Sequence, residues 1–234
     1  MSFIHNPRFD AQFDKVPNII WTPYVGQNFE QSPQKLLVFA HNISCKGAEY
    51  DAKTEEWKAK NTWSSCLDEY TYKPVKYNKA FRFFIKAAVG LSGNYKEDPI
   101  PAIRDKIESF VNRIAYVNFI QGLVKSETPL TPVEASQIAQ SKTINKQLLE
   151  ILGITHCICW GGPVFDHVTT LDGFSVVKTE DLLQKSFSYS LIQNEHGRRM
   201  HVLKIFHPSM PQGFKPYSPT TQDIIAAFLK KPNS

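Results

Sequence analysis

HVLKIFHPS, residues 201–209, is the stretch in which an apolar run meets a polar turn. The run His201–Phe206 has the length and apolar content of a buried strand. It ends in His207-Pro208-Ser209, where proline stops the strand and the imidazole and hydroxyl groups offer hydrogen bonds. Loops that follow strands are where α/β proteins place their chemistry, so His207 is the first candidate functional residue. The alternative is a turn histidine that binds no ligand.

Three further apolar runs of strand length precede this stretch: Lys35–Ala40 (KLLVFA), Ile114–Ile120 (IAYVNFI) and Ile154–Trp160 (ITHCICW). Their β-branched and aromatic residues, and the near-continuous apolarity of the first two, suit strands that are covered on both faces. Segment Phe187–Gln193 alternates and then reaches the polar turn Asn194–Gly197. That pattern predicts a hairpin that leads into the strand at His201.

Helical patterns lie between the apolar runs. Apolar residues at helical spacing predict amphipathic helices near residues 81–89 and 103–114. Thr131-Pro132-Val133-Glu134 combines an N-cap hydroxyl, a first-turn proline and a glutamate, so it predicts a helix start, with Gly153 closing that helix. Ser218-Pro219 opens a final helix in the same way. Strands separated by helices predict a three-layer α/β/α sandwich with a central, mostly parallel four-stranded sheet.

Length and composition bound the organisation of the chain. With 234 residues, 42% of them hydrophobic, the chain is predicted to form a single domain, residues 1–234. Residues 1–34 form an N-terminal extension of that domain, and residues 46–76 a polar surface excursion. The 27 basic and 22 acidic residues give a formal charge of +5, which permits contact with phosphates without requiring it.

The cysteines and the apolar runs predict where the protein resides. The four cysteines have no Cys-x-x-Cys spacing, and no charged and apolar leader opens the chain. No apolar stretch approaches the roughly 20 residues of a membrane-spanning helix. We therefore expect a reduced, cytoplasmic monomer with no membrane partner. Cys157 and Cys159 share one face of a strand, a pattern that indicates core packing more often than a metal site.

The carboxyl ends of parallel strands meet at one edge of a sheet, where α/β proteins bind ligands. Four sets of residues stand at these positions and are expected to lie close together: His41 with Asn42, Asn118 with Gln121, Gly161 with Gly162, and His207. Each has a structural alternative. Asn118 is either a hydrogen-bonding core residue or a ligand reader, Asn42 also suits a turn cap, and Gln121 suits a backbone-bonding role at the strand end.

The order of these strand-end residues resembles the uracil-DNA glycosylase superfamily, over roughly Lys35 to Leu229. The features that carry the resemblance are the His207-Pro208-Ser209 turn with Gly213-Phe214 after it, and the strand that ends in Trp160-Gly161. The second strand is more closely similar to a divergent bacterial branch that reads Asn-Phe-x-Gln, here Asn118-Phe119-Ile120-Gln121. The resemblance implies a uracil-DNA glycosylase-like fold.

The resemblance also implies an activity, which is hydrolysis of the N-glycosidic bond of a flipped uracil or another deaminated or damaged base in DNA, without a metal or organic cofactor. In that scheme His207 and Asn42 are catalytic. His207 donates a hydrogen bond to the departing base, and Asn42 orients the attacking water. Asn118 reads the base edge, and His41 and Ser44 complete the base-binding site.

DNA, in single- or double-stranded form, is the partner that the resemblance implies. Ser209, Met210 and Phe214 stand where superfamily members contact DNA and insert a wedge, although Phe214 also suits core packing. The loop Ala40-His41-Asn42-Ile43-Ser44-Cys45 lacks the carboxylate and the tyrosine of the best-known members. A catalytically silent nucleic-acid or nucleotide-binding module of the same fold is therefore the alternative, and another small-molecule enzyme is a third reading.

Overall fold

The computed structural model describes residues 4–41, 43–45, 79–91, 101–125, 133–182, 186–208, 214–216 and 218–233. Within these ranges the strands are β1 (Tyr24–Val25), β2 (Leu36–Ala40), β3 (Ile43–Cys45), β4 (Ile114–Asn118), β5 (Leu123–Lys125), β6 (His156–Trp160), β7 (Phe174–Leu182), β8 (Phe187–Asn194) and β9 (Arg199–Ile205). The α-helices are α1 (Asp10–Phe13), α2 (Lys79–Ala88), α3 (Pro101–Val111), α4 (Ala135–Leu152), α5 (Gly162–Thr169) and α6 (Pro219–Leu229). The predicted excursion at residues 46–76 lies outside the described residues.

The main sheet has the strand order β1-β4-β2-β6-β9-β8-β7. Its centre, β4-β2-β6-β9, is parallel, and these strands correspond to the apolar runs that the sequence marks as buried. The antiparallel strand β1 flanks this centre on one side, and the antiparallel pair β8 and β7 flanks it on the other. The α/β class is confirmed. The prediction of a four-stranded, mostly parallel sheet is wrong, because the sheet is mixed and has seven strands.

The sequence patterns did not predict the two edge strands, β1 and β7, and the reasons are physical. β7 (FSVVKTEDL) is largely exposed and, of the strands in the described ranges, pairs with β8 alone, so it does not need the apolar content that marks a central strand. β1 spans only two residues, a length at which no hydrophobic period can be recognised. The hairpin of β8 and β9 was predicted, and the structure confirms it.

Helices pack on both faces of the main sheet. Successive residues of β6 point to opposite faces, and the rings of His156 and Trp160 lie on the face that meets Phe228 of α6 and Phe84 of α2. On the other face, Lys204 of β9 lies over the ring of Phe165 in α5, with Nζ 6.0 Å from the ring centre. We call the first of these the α2/α6 face.

The helix predictions agree with the structure in most respects. α2, α3 and α6 lie at the predicted places, although α3 ends at Val111 and Ile114 belongs to β4; Ser218 is the N-cap of α6. Gly153 closes α4 in the left-handed conformation with φ of 65°, which glycine adopts at low cost. The predicted start of α4 is displaced, because Glu134 is the N-cap and the helix begins at Ala135. Thr131 and Pro132 lie outside the described residues.

A small second sheet lies beyond the carboxyl ends of two central strands. β3 follows β2 after two residues, β5 follows β4 after four, and they pair in parallel. Two backbone bonds connect the segments between them, from Phe119 N to Ala40 O at 2.8 Å and from Ile120 N to His41 O at 2.9 Å. The β3–β5 pairing and these two backbone bonds therefore hold the carboxyl ends of β2 and β4 side by side.

The N-terminal extension belongs to the same core. Phe13, Trp21 and Phe29 are buried with the residues of the central strands, and α1 packs against α4. Among the described helices, none combines the length and the apolar character needed to cross a lipid bilayer.

Candidate functional site

His207 lies two residues beyond the end of β9 and is half-buried. Its ring meets Trp160 edge to face, with ring centres 5.7 Å apart and an interplanar angle of 89°. Trp160 is the last residue of β6 and pairs in register with Ile205, the last residue of β9. The two carboxyl ends therefore bring His207 onto the α2/α6 face, directly above the central strands.

Burial lowers the pKa of His207 below its ordinary value, and electrostatic repulsion from His41 lowers it further. Both effects favour the uncharged form at neutral pH. A neutral imidazole has one N–H donor and one acceptor nitrogen. His207 can therefore donate a hydrogen bond to a developing negative charge without first losing a proton.

His41 reaches the same edge from the end of β2. It is half-buried, and it lies close enough to His207 for its charge to lower the pKa of His207. β2 lies between β4 and β6, so the strand neighbours of this segment end in Asn118 and Trp160. The structure therefore brings together His41 and His207, two of the residues that the sequence predicts for the site.

Asn118 is the last residue of β4 and pairs in register with Ala40. Asn118 and Tyr116 are two residues apart on one strand, so they point to the same face. The Tyr116 ring lies 5.5 Å from the Trp160 ring, which assigns Asn118 to the α2/α6 face as well. Asn118 is 3% exposed, so its amide lies at the buried end of the strand. Its position suits a donor and acceptor pair that faces a ligand.

Helix α4 fixes the backbone that follows Asn118. Asn145 Nδ2 donates to Phe119 O at 2.6 Å, and Gln121 N donates to Ser141 Oγ at 2.9 Å. Sequence reasoning missed Ser141 and Asn145, although both are polar residues on the stripe that carries the apolar Ile144 and Leu148. A polar residue on the apolar side of a helix is a signal that such a contact exists.

Gln121 has a structural role. Its Oε1 accepts hydrogen bonds from the backbone of Ile20 at 3.1 Å and of Trp21 at 2.8 Å, and its Nε2 donates to Trp21 O at 3.4 Å. Gln121 thus ties the N-terminal segment to the end of β4. This is the backbone-bonding alternative that the sequence left open.

Aromatic side chains form the base of the site. The rings of Phe81 and Phe84 in α2 lie 6.3 and 5.5 Å from the Trp160 ring, and the Tyr116 ring packs beside them. The Nε1 atom of Trp160 is buried and has no hydrogen-bond partner among the residues that the structure describes. Sequence reasoning did not place Phe81, Phe84 and Tyr116 near the site, because only the tertiary packing brings α2 over the end of β6.

The remaining predicted site residues fall into two groups. Asn42, Ser209 and Met210 lie outside the described residues, and for Ser44 the structure describes only its backbone in β3. Phe214 is 1% exposed and belongs to the core. A side chain buried to this degree has no surface to offer to DNA, so we assign Phe214 to packing.

The paired cysteines lie on the opposite face of the sheet. Both side chains are fully buried, and their sulfur atoms are 3.7 Å apart. Burial and the neighbouring Cys157 thiol raise the pKa of Cys159 well above its ordinary value, so Cys159 stays protonated. In the part of the chain that the structure describes, no group of three or more His, Cys, Asp or Glu side chains is arranged to hold a metal ion.

No protein-family model matches this chain, and no curated protein is significantly similar to it in sequence.

Proposed function

We propose that the protein is a DNA glycosylase-like hydrolase, which cleaves the N-glycosidic bond of a flipped uracil or another deaminated or damaged base. The observation that carries the proposal is the meeting of His207 and His41 at the carboxyl edge, with Asn118 on the same face. Such an edge is the usual ligand site of open α/β sheets.

The order of the parallel strands supports this location. The first parallel strand along the chain, β2, has the second, β4, on one side and the third, β6, on the other. The direction of winding therefore reverses beside β2, which is the switch point where a ligand crevice forms. His41 and the predicted water-binding Asn42 follow β2 directly.

The chemistry of the three side chains fits the reaction. The base departs with the electron pair of the broken bond, and a neutral His207 donates a hydrogen bond to that negative charge in a partly dehydrated site. The Asn118 amide presents one donor and one acceptor, which match the polar edge of a pyrimidine. None of these roles requires a metal or an organic cofactor.

The second candidate is a catalytically silent module that binds nucleic acid or a nucleotide at the same edge. The observation in its favour is the absence of Asp and Glu from residues 41–45, the segment from which superfamily members supply a carboxylate. The same crevice would then recognise a base without activating water.

Incubation with oligonucleotides that carry uracil, hypoxanthine or a thymine mismatch, single- and double-stranded, tests the first candidate. Alkali-labile sites are the expected product. Replacement His207→Ala is expected to lower kcat by about 100-fold or more, because it removes a hydrogen bond to the developing charge. His196→Ala is the matched control, since His196 is exposed in the turn between β8 and β9.

The two candidates give different results in this assay. Tight, salt-sensitive DNA binding without cleavage would support the binding module. Equal activity of the wild-type protein and the His207→Ala variant would show that His207 takes no part in catalysis. Neither cleavage nor binding would exclude DNA as the partner.

A further inference from the structure

β7 forms one edge of the main sheet. Among the strands of the described ranges it pairs with β8 alone, so the backbone groups on its outer side face away from the sheet. Two adjacent apolar side chains on this strand, Val176 and Val177, are 49% and 51% exposed. A long open strand edge of this kind is a surface to which a further strand can pair.

The regular part of β7 has its side chains on known faces. From Lys178 to Leu182 each residue pairs with one residue of β8. Glu180 pairs with Tyr189, whose ring stacks on the His201 ring of the α2/α6 face. Lys178 is two residues from Glu180 and lies on the same face, where the two exposed side chains form an ion pair.

The residues that alternate with this ion pair point to the opposite face of the sheet. Thr179 Oγ1 and Ser190 Oγ share a hydrogen bond at 2.8 Å. Asp181 Oδ1 accepts a hydrogen bond from Ser188 Oγ at 3.0 Å. These contacts hold both side chains against their own sheet, so the α2/α6 face of the regular part of β7 presents one basic and one acidic side chain.

Symmetry limits how a second copy of the chain can pair with β7. Two antiparallel copies of one strand are related by a two-fold axis perpendicular to the sheet, and the residue on the axis pairs with itself. This axis keeps every side chain on its own face, so residues that stand opposite one another share a face.

The charges on β7 distinguish the registers that remain. An axis at Lys178, Glu180 or Asp181 places a charged side chain opposite its own copy, which is unfavourable. Val177 lies at the register shift, where pairing is irregular. An axis at Thr179 instead places Lys178 of each copy opposite Glu180 of the other.

We propose that the protein forms a two-fold symmetric dimer through β7, with Thr179 on the axis. Lys178 and Glu180 of the two copies then form a ring of four alternating charges, in which each side chain has one partner in its own strand and one across the axis. The two threonines face each other, a favourable pair in antiparallel sheets. The two main sheets become one continuous sheet.

The same register also covers the exposed valines. Val176 and Val177 come to lie beside Asp181 and Leu182 of the second copy, which removes apolar surface from water. The backbone groups on the outer side of β7 exchange hydrogen bonds with water for hydrogen bonds with the second strand.

The lysine gives this edge its selectivity. Lysine on an edge strand normally prevents pairing, because it brings an unmatched charge to any added strand. In the Thr179 register, Glu180 of the second copy matches the charge of Lys178, so the same side chain opposes other partners and accepts this one. The sequence patterns that favour a monomer took no account of β7, since they did not predict this strand.

Sedimentation equilibrium of the full chain, at protein concentrations from about 1 to 300 μM, tests the proposal. We expect a dimer with a dissociation constant on the order of 10 μM, because one pair of strands is a small interface. Lys178→Glu places a carboxylate opposite Glu180 of the second copy and should raise the dissociation constant about tenfold or more. Glu180→Lys should have the same effect. Lys15→Glu is the control, since it makes the same charge change at an exposed position after α1.

An equimolar mixture of Lys178→Glu and Glu180→Lys should recover the dimer. One copy then carries two acidic side chains and the other two basic ones, so opposite charges meet across the axis at both positions. A variant that failed to fold could not regain the dimer in this way, so the mixture separates lost folding from lost pairing.

Cysteine cross-linking tests the register. Thr179→Cys places two thiols opposite each other across the axis, at a spacing that a disulfide can span, so mild oxidation should give a covalent dimer. Ser175→Cys is the control, because its counterpart in the second copy lies several residues away along the paired strands. The wild-type protein under the same oxidation accounts for the native cysteines.

Several results would overturn the proposal. These are a monomer at every concentration, a dimer whose dissociation constant is unchanged in Lys178→Glu, and two single variants that do not associate when mixed. A covalent dimer from Ser175→Cys with none from Thr179→Cys would also overturn it. None of these measurements depends on glycosidic cleavage, so the dimer stands or falls independently of the proposed function.

Discussion

The rings of His156 and His201 stack with centres 4.9 Å apart, at the end of the sheet opposite the candidate site. Both belong to the α2/α6 face, where Phe228 of α6 meets His156 edge to face. His201 donates from Nε2 to Pro232 O at 3.0 Å, and its Nδ1 atom shares a hydrogen bond with the Tyr189 hydroxyl at 2.8 Å. Burial lowers the pKa of His201 below its ordinary value, so at neutral pH the uncharged ring, with Nδ1 as acceptor for the Tyr189 hydroxyl, is favoured.

The histidine pair predicts a loss of stability in mild acid. Burial lowers the pKa of His156 from 6.5 to about 4, with further lowering by His201 and Lys231. The unfolded chain therefore binds more protons than the folded chain between these values, so the stabilisation is complete above pH 6.5 and is lost as pH falls toward 4. A shift of this size corresponds to about 3 kcal/mol in the free energy of unfolding.

Urea unfolding at pH 7 and pH 4.5 measures this effect. His156→Phe keeps an aromatic ring and removes the titration, so its free energy of unfolding should fall less between the two pH values than that of the wild-type protein. His196→Gln, which changes an exposed histidine, should behave as wild type. An equal pH dependence in all three proteins would contradict the assignment.

Gly26 allows β1 to approach the main sheet. A Cβ atom built at this position would lie 2.3 Å from the backbone carbon of Asn112, and Gly26 N donates to Ile114 O at 2.9 Å. Gly26→Ala must therefore push β1 away from β4, and we expect a loss of about 2 to 3 kcal/mol in the free energy of unfolding. Gly162→Ala is the control, because an added Cβ there meets nothing within 4 Å. Equal free energies of unfolding in urea for the two variants would show that β1 can move away from the added Cβ atom without destabilising the protein.

Gln121→Ala should destabilise the protein by about 3 kcal/mol, since it leaves the buried backbone N–H groups of Ile20 and Trp21 without an acceptor. Gln193→Ala is the matched control, because Gln193 bonds Arg199 at an exposed position. Thermal unfolding of both variants measures the difference. A loss as small for Gln121→Ala as for the control would mean that the N-terminal segment finds other partners.

Trp160 offers a test of the buried donor beneath His207. Trp160→Phe removes an Nε1 atom that has no hydrogen-bond partner within the described ranges, and it keeps an aromatic ring. The gain from removing this atom offsets the lost contact area, so the free energy of unfolding should change by less than about 1.5 kcal/mol. Trp160→Ala should cost about 3 to 5 kcal/mol, because it opens a cavity beside Tyr116 and Phe84. Urea unfolding compares the two, and a larger loss for Trp160→Phe would mean that the N–H group contributes to stability.

Local sequence patterns were sufficient for the central strands and most helices. The run Leu36–Ala40 is apolar at every position because both faces of β2 are covered, and such a run is visible without any knowledge of the fold. The same reasoning failed for β7, whose side chains face solvent, and for β1, which is too short to show a period. A buried strand requires apolar residues, which are visible in the sequence. A strand that pairs at an exposed edge has no such requirement, so its sequence does not reveal it.

For the candidate site, the sequence determined which polar residues end the buried strands, namely His41, Asn118 and His207. The run of apolar residues marks each buried strand, and the first polar residue at its end is visible in the sequence without any knowledge of the fold. Only the tertiary structure decided that His207 packs against Trp160 and repels a charged His41, that Gln121 serves the backbone, and that Phe214 is buried. These relationships depend on strand order and helix packing between residues far apart in the chain, so no local pattern encodes them.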